Sequence, residues 1–314
     1  MQKLTRRLVV ASAIALSFAA TPAFAEDKIL ASVPGLTFPF FVHMMKAFKA
    51  EAAKQGLGVI ESDGQVSSPK QTADIEAAIT QGVKGIVISP NEVDAMAPAL
   101  KQAVDAGIPV VTVDRRVAQV EGILAHVGAD NVKGGEAQGN LIVQMFPGGA
   151  TIINLQGQSG ASPAIDRNKG LHNVLDGAKD KYKIVFEQTA GFDRAKGLSV
   201  TEAALAGMAQ PPKVIVAAND DMALGAMEAA KARNLKGIVI IGFDALPEAL
   251  AQVRDGGLTA TIEQFPGKQS AMGVQILADF IKSGKKPAEK LTLLTPVAVT
   301  KDNLKIAERL GEVK

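Results

Sequence analysis

The chain has 314 residues, with 34 basic against 32 acidic side chains, no cysteine and no tryptophan. Without cysteine it can form neither disulfides nor thiolate metal sites, so the fold must hold by its own apolar cores. A near-neutral balance argues against nucleic acid as a partner, because phosphate binding needs a clustered basic surface.

Residues 1–25 read as a cleaved secretory signal. MQKLTRR gives a positive start, LVVASAIALSFAA a short apolar run, and TPAFA a small-x-small site ending at Ala25. The run is too short for a stable membrane anchor, which needs ~20 residues. The mature chain then begins at Glu26, and loss of Lys3, Arg6 and Arg7 leaves 31 basic against 32 acidic side chains. About 290 residues remain, enough for two domains of ordinary size, outside the cytoplasm.

From Lys28 onward, short β-branched runs alternate with helical stretches. KILASV (28–33) reads as a buried strand, the ring-rich TFPFF (37–41) as its junction, and FVHMMKAFKAEAAKQG as an amphipathic helix. LGVIES, KGIVIS, IPVVTV, ILAHVG, ATIINLQ, KIVFEQ, KVIVAA, IVIIGFD, LTATIEQ and LTLLTPVAV read as further strands. Helical stretches such as PKQTADIEAAITQGV and GKQSAMGVQILADFIKSG lie between them, many ending at glycine shortly before the next strand. Near-continuous apolar strands indicate sheets covered on both faces, hence a parallel, doubly wound α/β architecture.

In such sheets ligands bind outside the carboxyl ends of the strands. The first strand runs into Phe38, Phe40 and Phe41, and IPVVTV into Asp114 and Arg115. ATIINLQ leads through a Gly/Ser loop to Arg167, KIVFEQTA to Phe192, KVIVAA to Asn219, IVIIGF to Asp244, and LTATIEQ ends at Gln264. No phosphate-cradling G-x-G-x-x-G or G-x-x-x-x-G-K-[ST] is present, His43, His126 and His172 lack metal-ligand spacing, and no G-x-S-x-G elbow occurs. No cofactor is expected. Paired acids such as Asp114 and Asp244 could serve acid/base work, but the neighbouring arginines are expected to hold them ionised.

A neutral polyhydroxylated ligand suits this set. Each hydroxyl donates and accepts, so acceptor-only carboxylates, donor-only guanidiniums and amides belong together, and aromatic rings can cover apolar C–H faces. Singly, an Asp or Arg at a strand end is as readily a helix N-cap, and Phe40 and Phe41 read better as core rings. Asp130 and Asn131 read as a cap and turn; Arg116, Asp166, Asp193 and Arg194 read as outer or exposed groups. The recurrence at seven strand ends is what points to a site.

The series PFF, VTVDR, GADNVKGG, R-x-x-G, NDDMALGAMEA, IGFDALPEAL and LTATIEQFP resembles the ribose-type periplasmic sugar-binding proteins of ABC transporters over essentially the whole mature chain. The resemblance implies a type I periplasmic binding protein fold: two similar doubly wound parallel-sheet lobes joined by a three-segment hinge. The lobes would be residues 28–129 plus 265–294, and 130–264 plus 295–314, with crossings near Ala129-Asp130, Gln264-Phe265 and Leu294-Thr295. Carried over by position, Phe40, Phe41, Asp114 and Arg115 belong to the first lobe's site. Arg167, Phe192, Asn219 and Asp244 belong to the second, with Gln264 at a crossing. Ribose binders place an asparagine where this chain has Phe38, which weakens ribose as the ligand without weakening the class. HVGADN, EQTA and GFDALPEALAQV are also similar to inositol- and polyol-binding relatives.

The implied function is delivery of a small neutral monosaccharide, or alternatively a sugar alcohol or inositol, to a membrane permease by hinged closure. A monomer is expected, with a chemoreceptor as a second docking partner open to this family. A sugar-responsive regulator sharing this core would need an N-terminal DNA-binding segment where the secretion signal stands. A sugar-modifying enzyme would need a carboxyl with a shifted pKa near the ligand.

Overall fold

The computed structural model describes residues 27–314, and the expected leader lies outside them. The chain runs through β1 (Lys28–Val33), α1 (Pro39–Lys54), β2 (Gly58–Asp63), α2 (Ser68–Thr80), β3 (Gly85–Ile88), α3 (Ala97–Asp105), β4 (Val110–Val113) and β5 (Ala125–Ala129). It continues with α4 (Asn131–Met145), β6 (Ala150–Gln156), α5 (Ser162–Leu175), β7 (Tyr182–Thr189), α6 (Arg194–Ala206), β8 (Val214–Ala217) and α7 (Asp220–Ala232). Then come β9 (Val239–Ile241), α8 (Pro247–Asp255), β10 (Thr261–Glu263), α9 (Pro266–Ser283), β11 (Leu291–Leu294) and β12 (Val297–Val299).

Six strands form one parallel sheet in the order β11-β5-β4-β3-β1-β2, and four form a second in the order β7-β6-β8-β9. Successive side chains in a strand point to opposite faces, and the central strands β3, β4 and β8 are buried on both. In the first sheet Ile29, Ala31 and Val33 pack with Met44 and Phe48 of α1 and Val274 and Leu277 of α9. The intervening Leu30, with Ile86 and Ile88, packs on the other face with Ile75 of α2 and Leu100 of α3. The second sheet repeats the scheme: Ile153, Leu155 and Ile215 join Leu205 and Met222, while Ile152, Val214 and Val216 face Ile142, Leu171 and Leu175. The α/β architecture with parallel sheets, read from uninterrupted apolar runs, is what forms.

One stretch departs from that reading. LTLLTPVAV was expected as a single strand, but β11 pairs with β5 in the first sheet while β12 pairs antiparallel with β10. Pro296 lies between the two segments and has no N–H to give a ladder. The strand therefore breaks there, and the chain leaves the first sheet to form a separate two-stranded pair.

Helix starts match their caps. Ser67, Asp130, Asp193 and Asn219 each accept a backbone N–H from the first turn of α2, α4, α6 and α7. Helix α1 has no side-chain cap and instead begins with Pro39, whose missing N–H is no loss at that position. It therefore starts immediately beside the sheet edge, carrying Phe40 and Phe41 with it.

Candidate functional site

A cavity lies between the two sheets' carboxyl ends. The first sheet's connections supply Phe38, Phe40, Phe41, Asp114 and Arg115; the second's supply Arg167, Phe192, Asn219 and Asp244, and Gln264 comes just after β10. All ten expected residues line this one cavity. Pro163 and Asp221 line it too, although neither was in the expected set. An acid at the second position of a helix reads from sequence as a partner for the helix dipole. Its adjacency to Asn219 was the only available signal.

Strained backbone aims several of these groups. Asp114 has φ 62°, Phe192 φ 64° and Asp244 φ 111°, and Phe265 just past Gln264 has φ 60°. Non-glycine residues in this region cost of order 1–3 kcal/mol each and cluster at ligand clamps. At Asp114 the turn is tight: Arg115 N–H donates to the Val113 carbonyl at 2.7 Å, and Asp114 N–H to the Val127 carbonyl at 2.9 Å. The carboxylate is thereby turned off the end of β4 toward the cavity, where its Oδ2 accepts from Ser89 Oγ at 2.9 Å.

The guanidiniums are held by backbone carbonyls and rings. Arg115 Nη1 donates to the Asn91 carbonyl at 2.7 Å, and its Cζ lies 5.2 Å from the Phe41 ring centre and 5.6 Å from that of Phe192. Arg167 donates from Nε to Asn131 Oδ1 at 2.8 Å and from Nη1 to the Ala218 carbonyl at 2.6 Å, and stacks 3.5 Å from the Phe243 ring centre. Asn131, expected only as a turn residue, thus positions Arg167. Phe40 and Phe41 serve two roles, belonging to the apolar core while lining the cavity, and their rings meet edge to face at 5.2 Å.

The acids depart from expectation. Arginines were expected to keep them ionised, yet burial outweighs that attraction. Asp114 is pushed up by burial against the pull of Arg115 and Arg167. Asp244 is pushed up to about 7, again by burial, although Arg167 Nη1 stands 3.5 Å from its Oδ1 and Gln264 Nε2 donates to it at 2.6 Å. Burial likewise lowers Arg115 to about 10. Deeper still, Asp220 is raised well above its usual range by burial and by Asp244. Its oxygens accept from Thr261 Oγ1 at 2.7 Å and from Leu246 N–H at 2.8 Å, fixing the Asp244 loop to β10.

The two halves meet at the rim. Gln158 Oε1 accepts from Arg115 at 3.1 Å, and its Nε2 donates to Asn91 Oδ1 at 3.1 Å. Val93 N–H donates to the Gly160 carbonyl at 2.9 Å, and Arg116 pairs with Asp166 at 2.7 Å. Arg116 and Asp166 are thus rim partners, as expected of outer groups.

Two doubly wound parallel sheets closing on a cavity rich in rings and paired charges define a solute-binding protein of the two-lobed type. The chain belongs to the family of the periplasmic binding protein domain, whose profile matches residues 29–286. It is 42% identical over 261 residues to the ribose import binding protein RbsB of Bacillus subtilis, covering 83% of each chain. It is 37% identical over 281 residues to the Escherichia coli ribose import binding protein, covering 89% of this chain and 93% of that one. Among solved structures, the Caulobacter myo-inositol binding protein bound to myo-inositol superposes with a TM-score of 0.89 at 41% identity, covering 94% of this chain and 100% of that one.

Proposed function

We propose that this protein captures a small neutral monosaccharide of the ribose type in the periplasm and delivers it to the permease of an ABC importer. The observation that carries this is the convergence of Phe40, Phe41, Asp114, Arg115, Arg167, Phe192, Asn219, Asp244 and Gln264 on one cavity. Carboxylates accept from hydroxyls, guanidiniums donate to them, and the rings cover the C–H faces. The family is one of binding proteins, so the raised Asp244 serves recognition and the ligand leaves chemically unchanged. A carboxyl poised near neutrality can donate or accept as the ligand's hydroxyls require.

Residues 28–129 with 265–294 form one moving lobe and 130–264 with 295–314 the other, hinged at the three crossings. Ligand held by one lobe offers contacts to the other, so closure is favoured by its differential affinity for the two states. The permease reads the closed form as a monomer, and export precedes cleavage after Ala25. Calorimetry and thermal-shift measurements against pentoses, hexoses, polyols and inositols test the assignment. A binder raises the melting temperature by mass action and is recovered intact from the complex; no binder in any of these classes removes the assignment. A second reading, inositol as ligand, is favoured by Phe38, which lines the cavity without offering a hydrogen-bonding group.

A further inference from the structure

Asp221 lies outside the set that the family resemblance assigns to the ligand, yet it lines the same cavity. The residue is 6% exposed, and its Oδ2 is buried with no hydrogen-bond partner among the described residues. The other oxygen is only loosely engaged: Arg194 Nη2 stands 3.5 Å from Oδ1. That guanidinium is committed elsewhere, donating to both oxygens of Glu248 at 2.9 and 2.6 Å. A buried carboxylate oxygen without a donor costs about 1–3 kcal/mol or more, so in a cavity-lining residue it marks a position where the ligand supplies the donor. Burial moves the Asp221 carboxyl up to about 6, which still leaves it an acceptor at neutral pH.

Gln264 presents the same situation. Its Nε2 is spent on Asp244, which fixes the amide so that Oε1 is the free end, and that oxygen is also buried and without a partner among the described residues. Asp114 uses Oδ2 on Ser89 and Asp244 uses Oδ1 on Gln264, leaving each another oxygen for the ligand. The cavity thus presents acceptors from Asp114 on one half, Asp221 on the other, and Gln264 at a crossing. A ring ether oxygen can only accept, so turning it toward a carboxylate is repulsive, and a sugar ring is confined to poses that turn that edge to Arg115 or Arg167. A carbocyclic polyol carries a hydroxyl donor on each ring carbon and has no such edge.

We propose that Asp221 is a specificity-determining residue that accepts a hydrogen bond from a ring hydroxyl and favours a fully hydroxylated carbocycle over a pentose ring. This rests on the transport reading and, within it, takes the second ligand assignment, inositol, over the ribose-type one.

The test is calorimetric titration of wild type, D221A and D221N with myo-inositol and with D-ribose. D221A weakens myo-inositol roughly 10- to 100-fold and ribose by less than about 3-fold, as expected for losing one charged acceptor used by one ligand. D221N, the same shape without the charge, falls between and serves if D221A does not fold; apo melting curves check both. Equal weakening of both ligands, or no weakening of either, overturns the inference. So does a wild type preferring ribose, and each of these leaves the transport reading standing. A wild type that binds no sugar or polyol sinks that reading and the inference with it.

Discussion

Arg115 and Gln158 join the two halves across the mouth of the cavity, Nη1 donating to Oε1 at 3.1 Å. Arg115 is simultaneously anchored within its own half to the Asn91 carbonyl, and Gln158 returns a bond to Asn91 Oδ1 at 3.1 Å. An interaction made only when the halves touch stabilises the closed state alone. Gln158→Ala is therefore expected to speed ligand release about 3- to 10-fold, the worth of roughly one net hydrogen bond. The association rate and the melting temperature of the free protein should stay as they are. Surface plasmon resonance on the immobilised protein reads both rates, and a change confined to association would contradict the assignment.

Asp114→Ala removes an acceptor that the strained end of β4 aims into the cavity. Sugar affinity is expected to fall by at least about 100-fold, or ~3 kcal/mol, the scale for a hydrogen bond to a charged group with its partners left unpaired. The fold should survive, because burial disfavours this carboxylate in the empty site. Near-native affinity by calorimetry would remove Asp114 from the site.

Phe38→Asn replaces an apolar ring with an amide at the cavity wall. Ribose affinity relative to myo-inositol is expected to rise about tenfold, in line with one recovered hydrogen bond. An unchanged ligand profile would mean that Phe38 turns away from the bound ligand.

His126 gives the protein an acid-sensitive point away from the cavity. Burial, with Arg116 nearby, pushes its pKa down to about 4, while Thr112 Oγ1 lies 2.9 Å from Nδ1. Unfolded chain protonates this imidazole near 6.5, so between that pH and about 4 the unfolded state holds the extra proton. Stability from this residue is complete above pH 6.5 and lost as pH falls through 4, roughly 3 kcal/mol in all. His126→Gln should lose less stability than wild type between pH 7 and 4, as followed by denaturant titration; parallel losses would refute this.

Gly135 and Gly170 let α4 and α5 approach backbone to backbone. A Cβ on Gly135 would collide with the Arg167 carbonyl, and one on Gly170 with that of Val132. This contact also brings Asn131 within reach of Arg167. Gly135→Ala is expected to destabilise the protein by about 2–3 kcal/mol through overpacking and to weaken sugar binding, both measurable by thermal melting with and without ligand.

Much of the site could be read from the chain because parallel strands put their loops at one edge. Phe41, Arg167 and Gln264 come from distant parts of the sequence, yet each lies in the connection or helix that follows a strand and so was legible as a member of the site. Asp221 escaped because its helical position has an ordinary explanation, and only its buried, partnerless oxygen sets it apart. The raised carboxyls escaped for another reason. An Asp–Arg pair in sequence predicts attraction, but depth below the surface decides the balance at Asp244, and depth is a property of the assembled halves. The break at Pro296 was visible in the residues, yet a strand changing sheets is a matter of tertiary pairing.

The left-handed backbone at Asp114, Phe192 and Asp244 has a bearing on how such a receptor can be retuned. Changing these side chains leaves the awkward turn in place, and glycine, which would relax it, discards the recognising group. Phe38 sits on extended backbone and Asp221 on an ordinary helix, where most replacements are conformationally free. Diversification for new cargo is thus best begun at those two relaxed positions, with the kinked trio kept as a constant frame.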